Sequence, residues 1–194
     1  AAWAKGRSSI TANATTAPDG TSTADKLVED TTASNSHFIS QAATTSPGAT
    51  YTYSVFVKAS ERGYIQLGSW DGTTGIDCVF NVSSGVVSIT GAGGTAAIVN
   101  WGNGWYRCSV SRVCAGTGLA LYLYLYDGSS ITYTGDGTSG LYIWGAQLEA
   151  SSSATDYVQT TSVPAKRIDC GFTTGARFVL IKRTDSTGQW WVWD

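Results

Sequence analysis

Residues 119–126 read Leu-Ala-Leu-Tyr-Leu-Tyr-Leu-Tyr, an alternation of period two that an extended strand converts into two chemically distinct faces. Wound as a helix, the same residues would spread leucine and tyrosine around the whole circumference. As a strand, the segment sends Leu119, Leu121, Leu123 and Leu125 into a core. It holds Tyr122, Tyr124 and Tyr126 on the opposite side, spaced roughly 7 Å apart by two residues of strand rise. Such a strand needs hydrogen-bonding partners along its edges and a second layer over its leucine face.

The remainder of the chain supplies candidates for both. Strands are expected at Ala24–Glu29, Tyr51–Ser60, Tyr64–Trp70, Ile76–Val82, Val86–Thr90, Trp105–Val113, Leu119–Tyr126 and Gly140–Glu149. They are punctuated by Pro18-Asp-Gly-Thr21, Asp71-Gly72, Asp127-Gly128 and Asp136-Gly137, the residue types that tight turns require. The 23 glycines, 8 tryptophans and 10 tyrosines, with no methionine, favour strands and turns over helices. No segment sustains a helical period, which disfavours a parallel sheet with crossover helices. The fold class expected is all-β: an antiparallel β-sandwich over residues 1–160, with a C-terminal β-hairpin appendage. Residues 1–24 form an Ala/Ser/Thr-rich N-terminal segment, and the domain starts either near Trp3 or near Ala24. The Ser-rich stretch 150–164 reads as a linker. Within residues 161–194, Arg177–Arg183 and Gln189–Asp194 flank Thr184-Asp-Ser-Thr-Gly188 as one hairpin. A lone hairpin bearing Trp190, Trp191 and Trp193 is marginal in water, so it is expected to dock, to pair with another chain, or to begin a truncated second domain.

Several function classes are disfavoured. A net charge of −2 with scattered Lys and Arg offers no stripe to neutralise a phosphate backbone, so no nucleic acid partner is expected. No apolar run of about 18 residues occurs, and Ala1–Ile10 lack the apolar stretch of a signal peptide, so no membrane insertion is expected. The four cysteines, Cys78, Cys108, Cys114 and Cys170, show no CxxC spacing, and with one histidine, His37, zinc ligation is poorly supported. They read as small buried apolar residues. On one strand Cys108 and Cys114 would lie roughly 20 Å apart and could not bond to each other; any other disulfide pairing is open. Catalysis fares no better: Glu61 and Glu149 carry no context marking a glycosidase pair, and His37 lies in a polar run without a nucleophile elbow, as a surface or hydrogen-bonded residue. Asn13-Ala-Thr15 and Asn81-Val-Ser83 match the short glycosylation acceptor pattern.

The binding residues are read from strand parity. In Tyr64-Ile-Gln-Leu-Gly-Ser-Trp70, Ile65 and Leu67 turn inward, and Tyr64, Gln66 and Trp70 turn outward with Tyr122, Tyr124 and Tyr126. A pyranose stacks its C–H face on such rings and gives and takes hydrogen bonds at a polar rim. The candidate carbohydrate-binding set is Tyr64, Gln66, Trp70, Tyr122, Tyr124 and Tyr126, with Trp101 from a Gly-rich loop and Arg107 as a hydrogen-bond donor. The same tyrosines serve equally as cross-strand pairs that stabilise the sheet, or as a subunit interface. Trp105 is expected to enter the core, and Trp144 fits either core or platform. A structural calcium would draw on Asp19, Asp71 and Asp136, because jelly-roll loops are often tied by carboxylates and carbonyls; their Asp-Gly setting also explains them as turn residues.

Ordered motifs carry a resemblance. Pro18-Asp-Gly-Thr…Ala24-Asp-Lys-Leu, Tyr51-Thr-Tyr-Ser-Val-Phe-Val-Lys-Ala59, Gly104-Trp-Tyr-Arg-Cys108 and Tyr142-Ile-Trp-Gly-Ala-Gln-Leu-Glu149 resemble the successive strands of carbohydrate-binding-like jelly-roll domains in bacteriophage tail and fibre proteins. The Tyr53-Ser-Val-Phe-Val-Lys-Ala59 strand is also similar to that of xylan- and glucan-binding modules of glycoside hydrolases. The resemblance covers residues 15–160, and the region from Phe178 to Trp193 is similar to another domain that follows in phage tail proteins. It implies non-catalytic adhesion to a polysaccharide or cell-surface glycan, a virion or extracellular location, possible homo-oligomerisation, and no catalytic residues. The alternative it leaves is a structural virion protein whose aromatic face is an oligomer or capsid contact.

Overall fold

A computed structural model describes residues 3–159. The chain divides after Val158, and the expected hairpin and Cys170 lie outside the described residues. Fourteen strands run in order: β1 Ala4–Gly6, β2 Ser8–Thr15, β3 Ala24–Glu29, β4 Asn35–Ser36, β5 Phe38–Thr44, β6 Thr50–Ala59, β7 Tyr64–Trp70, β8 Gly75–Asn81, β9 Val86–Ile89, β10 Gly94–Gly102, β11 Trp105–Val113, β12 Gly118–Tyr126, β13 Thr132–Tyr133 and β14 Gly140–Glu149. A first six-stranded sheet has the order β1-β5-β12-β7-β8-β9, a second has β10-β11-β6-β14-β3-β2, and β13 pairs with β4. Successive strands repeatedly change sheet, and every neighbouring pair in the two sheets is antiparallel. The protein is a β-sandwich. Among the described residues no helix is long and apolar enough to cross a membrane.

The core forms where inward residues of the sheets meet. Leu119, Leu121, Leu123 and Leu125 of β12 and Ile65 and Leu67 of β7 lie against Tyr53, Val55 and Val57 of β6 and Cys108 and Val110 of β11. All are buried, so the period of two read from residues 119–126 and 64–70 is the period of the fold. The N-terminal segment belongs to the sandwich from Trp3 onward, because Trp3 and Ile10 pack against this core. The polar edge strand β2 carries too little apolar alternation to declare itself in sequence.

The second sheet is covered on its outer face as well. Ala17, Ala24, Phe56 and Trp105 form a separate buried cluster, flanked by Tyr142, Trp144 and Tyr157. Trp105 is therefore buried as expected, but on the side away from the main core, where its indole donates to the Thr16 carbonyl at 3.2 Å. Residues 151–158, expected as linker, cross this face: the Tyr157 ring lies 4.6 Å from Trp144, tilted by 51°, and the Thr155 amide donates to Glu149 at 3.0 Å. A bulge between Trp144 and Gln147 bends β14 at this point. Gly145 adopts φ +59, and an added Cβ would stand 3.1 Å from both Phe56 and Tyr157, so the bulge needs glycine on both counts.

Two buried ion pairs fasten loops to the sandwich. Glu29, 1% exposed, accepts from Arg62 Nε at 2.8 Å, Arg62 Nη2 at 2.5 Å, Tyr133 Oη at 2.7 Å and the Asp136 amide at 3.0 Å. The carboxylate is thereby saturated. Burial, then the bond to Glu29, pushes the Tyr133 phenol well above its usual range. At Asp71, 3% exposed, the carboxylate pairs with Arg112 and accepts from the Thr73, Thr74 and Ala115 amides. The Ala115 and Thr74 amides are the main reason that its pKa falls below the ordinary carboxylate range.

Candidate functional site

The outward residues of β5, β12, β7 and β8 align in rows across the first sheet. Tyr126 lies beside Tyr64 and Asn81; Phe38 beside Tyr124, Gln66 and Val79; Ser40 beside Tyr122, Gly68 and Asp77; Ala42 beside Ala120, Trp70 and Gly75. Side chains paired in this way stand about 5 Å apart, within reach of ring contacts. Tyr122 and Tyr124 stack with centroids 5.4 Å apart at 16°, and Phe38 meets them at 5.7 and 5.0 Å. Tyr64 and Tyr126 are 6.1 Å apart. These rings form two half-buried groups on one face, and Trp70, in the row with Ala120, is 48% exposed.

Small residues make room for these rings. An added Cβ on Gly68 would stand 2.7 Å from Asp77 Oδ1 and 3.1 Å from Tyr124 Cε2, so the carboxylate and the ring close over a bare backbone. Ala42, Ala120, Gly116 and Gly118 join Trp70 in lining a shallow groove of about 500 Å³. A narrower opening of about 210 Å³ lies elsewhere, between Trp3, Ile10, Asp25, Ile143 and Trp144.

The polar groups of the face are few and specific. Gln66 faces outward but is only 8% exposed, and it hydrogen-bonds the exposed Asp77 carboxylate. Partial desolvation raises the Asp77 pKa, opposed by that bond. Tyr124 is pushed up to about 12 by burial, then by Tyr122 and Asp77, so its hydroxyl keeps its proton and can donate at neutral pH. Asn81 donates to Tyr64 Oη at 2.8 Å, and Tyr126 Oη donates to the Ser129 carbonyl at 2.7 Å.

Six of the eight sequence candidates, Tyr64, Gln66, Trp70, Tyr122, Tyr124 and Tyr126, thus share one face. Trp101 and Arg107 do not join them. They belong to β10 and β11 of the second sheet. Trp101 is 47% exposed at 5.2 Å from Phe56. Arg107 is enclosed: 6% exposed, it donates to the Thr155 carbonyl and to Ser54 Oγ, with its guanidinium 5.2 Å from the Phe56 ring. Burial lowers its pKa. A sugar hydroxyl cannot reach it beneath residues 151–158. Trp144, left between core and platform by the sequence, is half-buried in the second cluster. Phe38 and Asp77 were missed, although Phe38-Ile-Ser and Ile76-Asp-Cys carry the same alternation.

The carboxylates considered for calcium are committed to their turns. Asp19 accepts from the Thr21 amide at 2.9 Å and its hydroxyl at 2.7 Å; Asp136 accepts from the Thr138 and Ser139 amides at 2.8 and 2.7 Å; Asp71 is held by Arg112 and backbone amides. Among the described residues no group of three or more His, Cys, Asp or Glu gathers around a common point. Glu61 accepts from the Gly140 amide at the start of β14, and Glu149 is its last residue. The two are about 30 Å apart along the strand, too far to flank one glycosidic bond. His37 is not a surface residue: it is 0% exposed, with Nδ1 2.8 Å from the Arg7 carbonyl. Cys78, Cys108 and Cys114 are buried and free.

Compared with protein-family models and with curated proteins, the chain matches neither.

Proposed function

We propose that the outer face of the first sheet binds a polysaccharide or cell-surface glycan without cleaving it. The observation that carries this reading is the cluster of Phe38, Tyr122 and Tyr124 on the same sheet face as the exposed Trp70 and its groove. Rings beside small residues give the apolar contact that a pyranose C–H face requires, and Asp77 and the tyrosine hydroxyls give its hydroxyls partners. The groove volume falls within the range of about 300–1,000 Å³ usual for small-ligand sites. Likeness to phage tail and fibre domains adds a context: an extracellular or virion protein in which modest single-site affinity is multiplied by repeated display.

A second reading has its own support. Val86 and Ile89 on the neighbouring edge strand β9 are 53% and 50% exposed, which extends the apolar surface beyond the rings toward an oligomer or capsid contact.

Affinity electrophoresis against soluble xylan, β-glucans, mannan and bacterial surface glycans, and pull-down on insoluble cellulose and chitin, with and without EDTA, test the proposal. Selective retention is expected, weakened about tenfold by Trp70→Ala, since one stacked ring contributes on the order of 1.4 kcal/mol. The melting temperature should hardly move. Failure of folded protein to bind any member, together with a change of oligomeric state in Trp70→Ala, would replace the glycan with a protein contact.

A further inference from the structure

The binding face has an unusual charge inventory. The residues turned outward are Phe38, Ser40, Ala42 and Thr44 on β5, Ala120, Tyr122, Tyr124 and Tyr126 on β12, Tyr64, Gln66, Gly68 and Trp70 on β7, and Gly75, Asp77, Val79 and Asn81 on β8. Asp77 is the one carboxylate in that set, which contains no lysine or arginine. Of the cations around it, Arg62 is paired with Glu29 and Arg112 with Asp71, and the exposed Lys5 and Arg7 lie on and beside β1 at the edge of the sheet. The Asp77 carboxylate is not neutralised either: its side-chain hydrogen bond comes from the neutral Gln66, and Gly68 and the edge of Tyr124 form the rest of its bed.

Resting on the glycan reading of this face, we infer that it is selective for uncharged or amine-bearing polysaccharides and rejects those carrying carboxylate, sulfate or phosphate, with Asp77 as the specificity-determining residue. An acidic sugar laid on the rings would lose water over an apolar surface, meet no cation within these rows to replace it, and stand near a fixed negative charge. A neutral sugar instead offers hydroxyl protons to that carboxylate, in a charge-assisted hydrogen bond. An amino sugar adds the attraction of opposite charges.

Matched polymer pairs test this on the whole chain: hydroxyethylcellulose with carboxymethylcellulose, arabinoxylan with glucuronoxylan, and dextran with dextran sulfate, with a pull-down on chitin and chitosan in which the amine-bearing chitosan is expected to bind at least as well as chitin. In affinity electrophoresis the neutral member of a pair that binds is expected to outcompete its anionic partner by about fivefold or more, the penalty of one like charge near the surface. Asp77→Asn should narrow that ratio, and Ser40→Lys, which places a cation in the same row, should narrow it further; thermal melting verifies that both fold. Equal binding of neutral and anionic members, or a ratio unmoved by both variants, overturns the charge selectivity while the glycan reading stands. Retention of no polymer by folded protein overturns both.

Discussion

The Glu29–Arg62 pair offers a quantitative test of how loops are fastened to this sandwich. Glu29 has a side-chain exposure of 0%, and Arg62 of 22%. Replacing Arg62 with leucine strands a buried carboxylate, with Tyr133 and the Asp136 amide as its remaining donors. Breaking one half of a buried pair costs about 3–5 kcal/mol. Glu29→Gln keeps the shape but removes the charge, and turns an NH2 toward Arg62 or the Asp136 amide, where donors already stand; about 3 kcal/mol is expected. The double change to Glu29→Leu with Arg62→Leu should cost clearly less than the sum of the single leucine variants, by about 2 kcal/mol, because no charge is left stranded. At about 2–4 °C per kcal/mol for a domain of this size, Arg62→Leu should lower the melting temperature by about 6–20 °C. Urea unfolding followed by tryptophan fluorescence, with thermal melts alongside, reads all four species of the cycle. Arg62→Leu within ~0.5 kcal/mol of the parent, or strict additivity in the cycle, would refute the reasoning.

Two further outcomes follow from the same logic. Because the folded Asp71 carboxyl lies below its ordinary value of 3.8, its contribution is fully present above that pH and is lost as pH falls through the folded value. The stability gap between parent and Asp71→Asn should therefore be constant from pH 7 to pH 5 and shrink below about pH 4; a gap that widens on acidification in urea titrations would contradict this. Cys78, Cys108 and Cys114 are buried with thiols pushed up by desolvation, so a Cys170→Ser variant should react with a thiol reagent only on unfolding. Rapid native-state labelling of any of the three would count against the described packing.

What could be read from sequence was parity; what could not was partnership. The strands Ala24–Glu29, Tyr64–Trp70, Trp105–Val113 and Gly140–Glu149 stand where alternation and turn residues placed them. Parity also turned the β12 tyrosines and β7 aromatics to one side, which recovered most of the candidate face. It could not say that Trp101 and Arg107 belong to the other sheet, since strand order is set by contacts distant in sequence. Nor could it foresee that Arg107 is covered, because the cover consists of Ser-rich residues 151–158 with one aromatic, Tyr157, that reaches Phe56 and Trp144. Edge strands such as β2 and β10 escaped notice for a related reason: an edge carries polar and small residues where a central strand carries a continuous apolar face. The fastening residues Glu29, Arg62, Asp71 and Arg112 look like ordinary surface charges until the loops they hold are folded over them.

The position of β14 has a consequence for the order of events during synthesis. It lies between β6 and β3 in the second sheet, so the pair β2–β3 and the trio β10–β11–β6 have no common hydrogen-bonded border until residues 140–149 arrive. A nascent chain ending before Gly140 holds two half-sheets with open flanks, and β14, the last strand among the described residues, is the keystone that joins them. Folding of the second sheet is thus deferred to near the end of translation of this unit, and the interval before it is when unpaired edges of β3 and β6 are open to a neighbouring nascent chain.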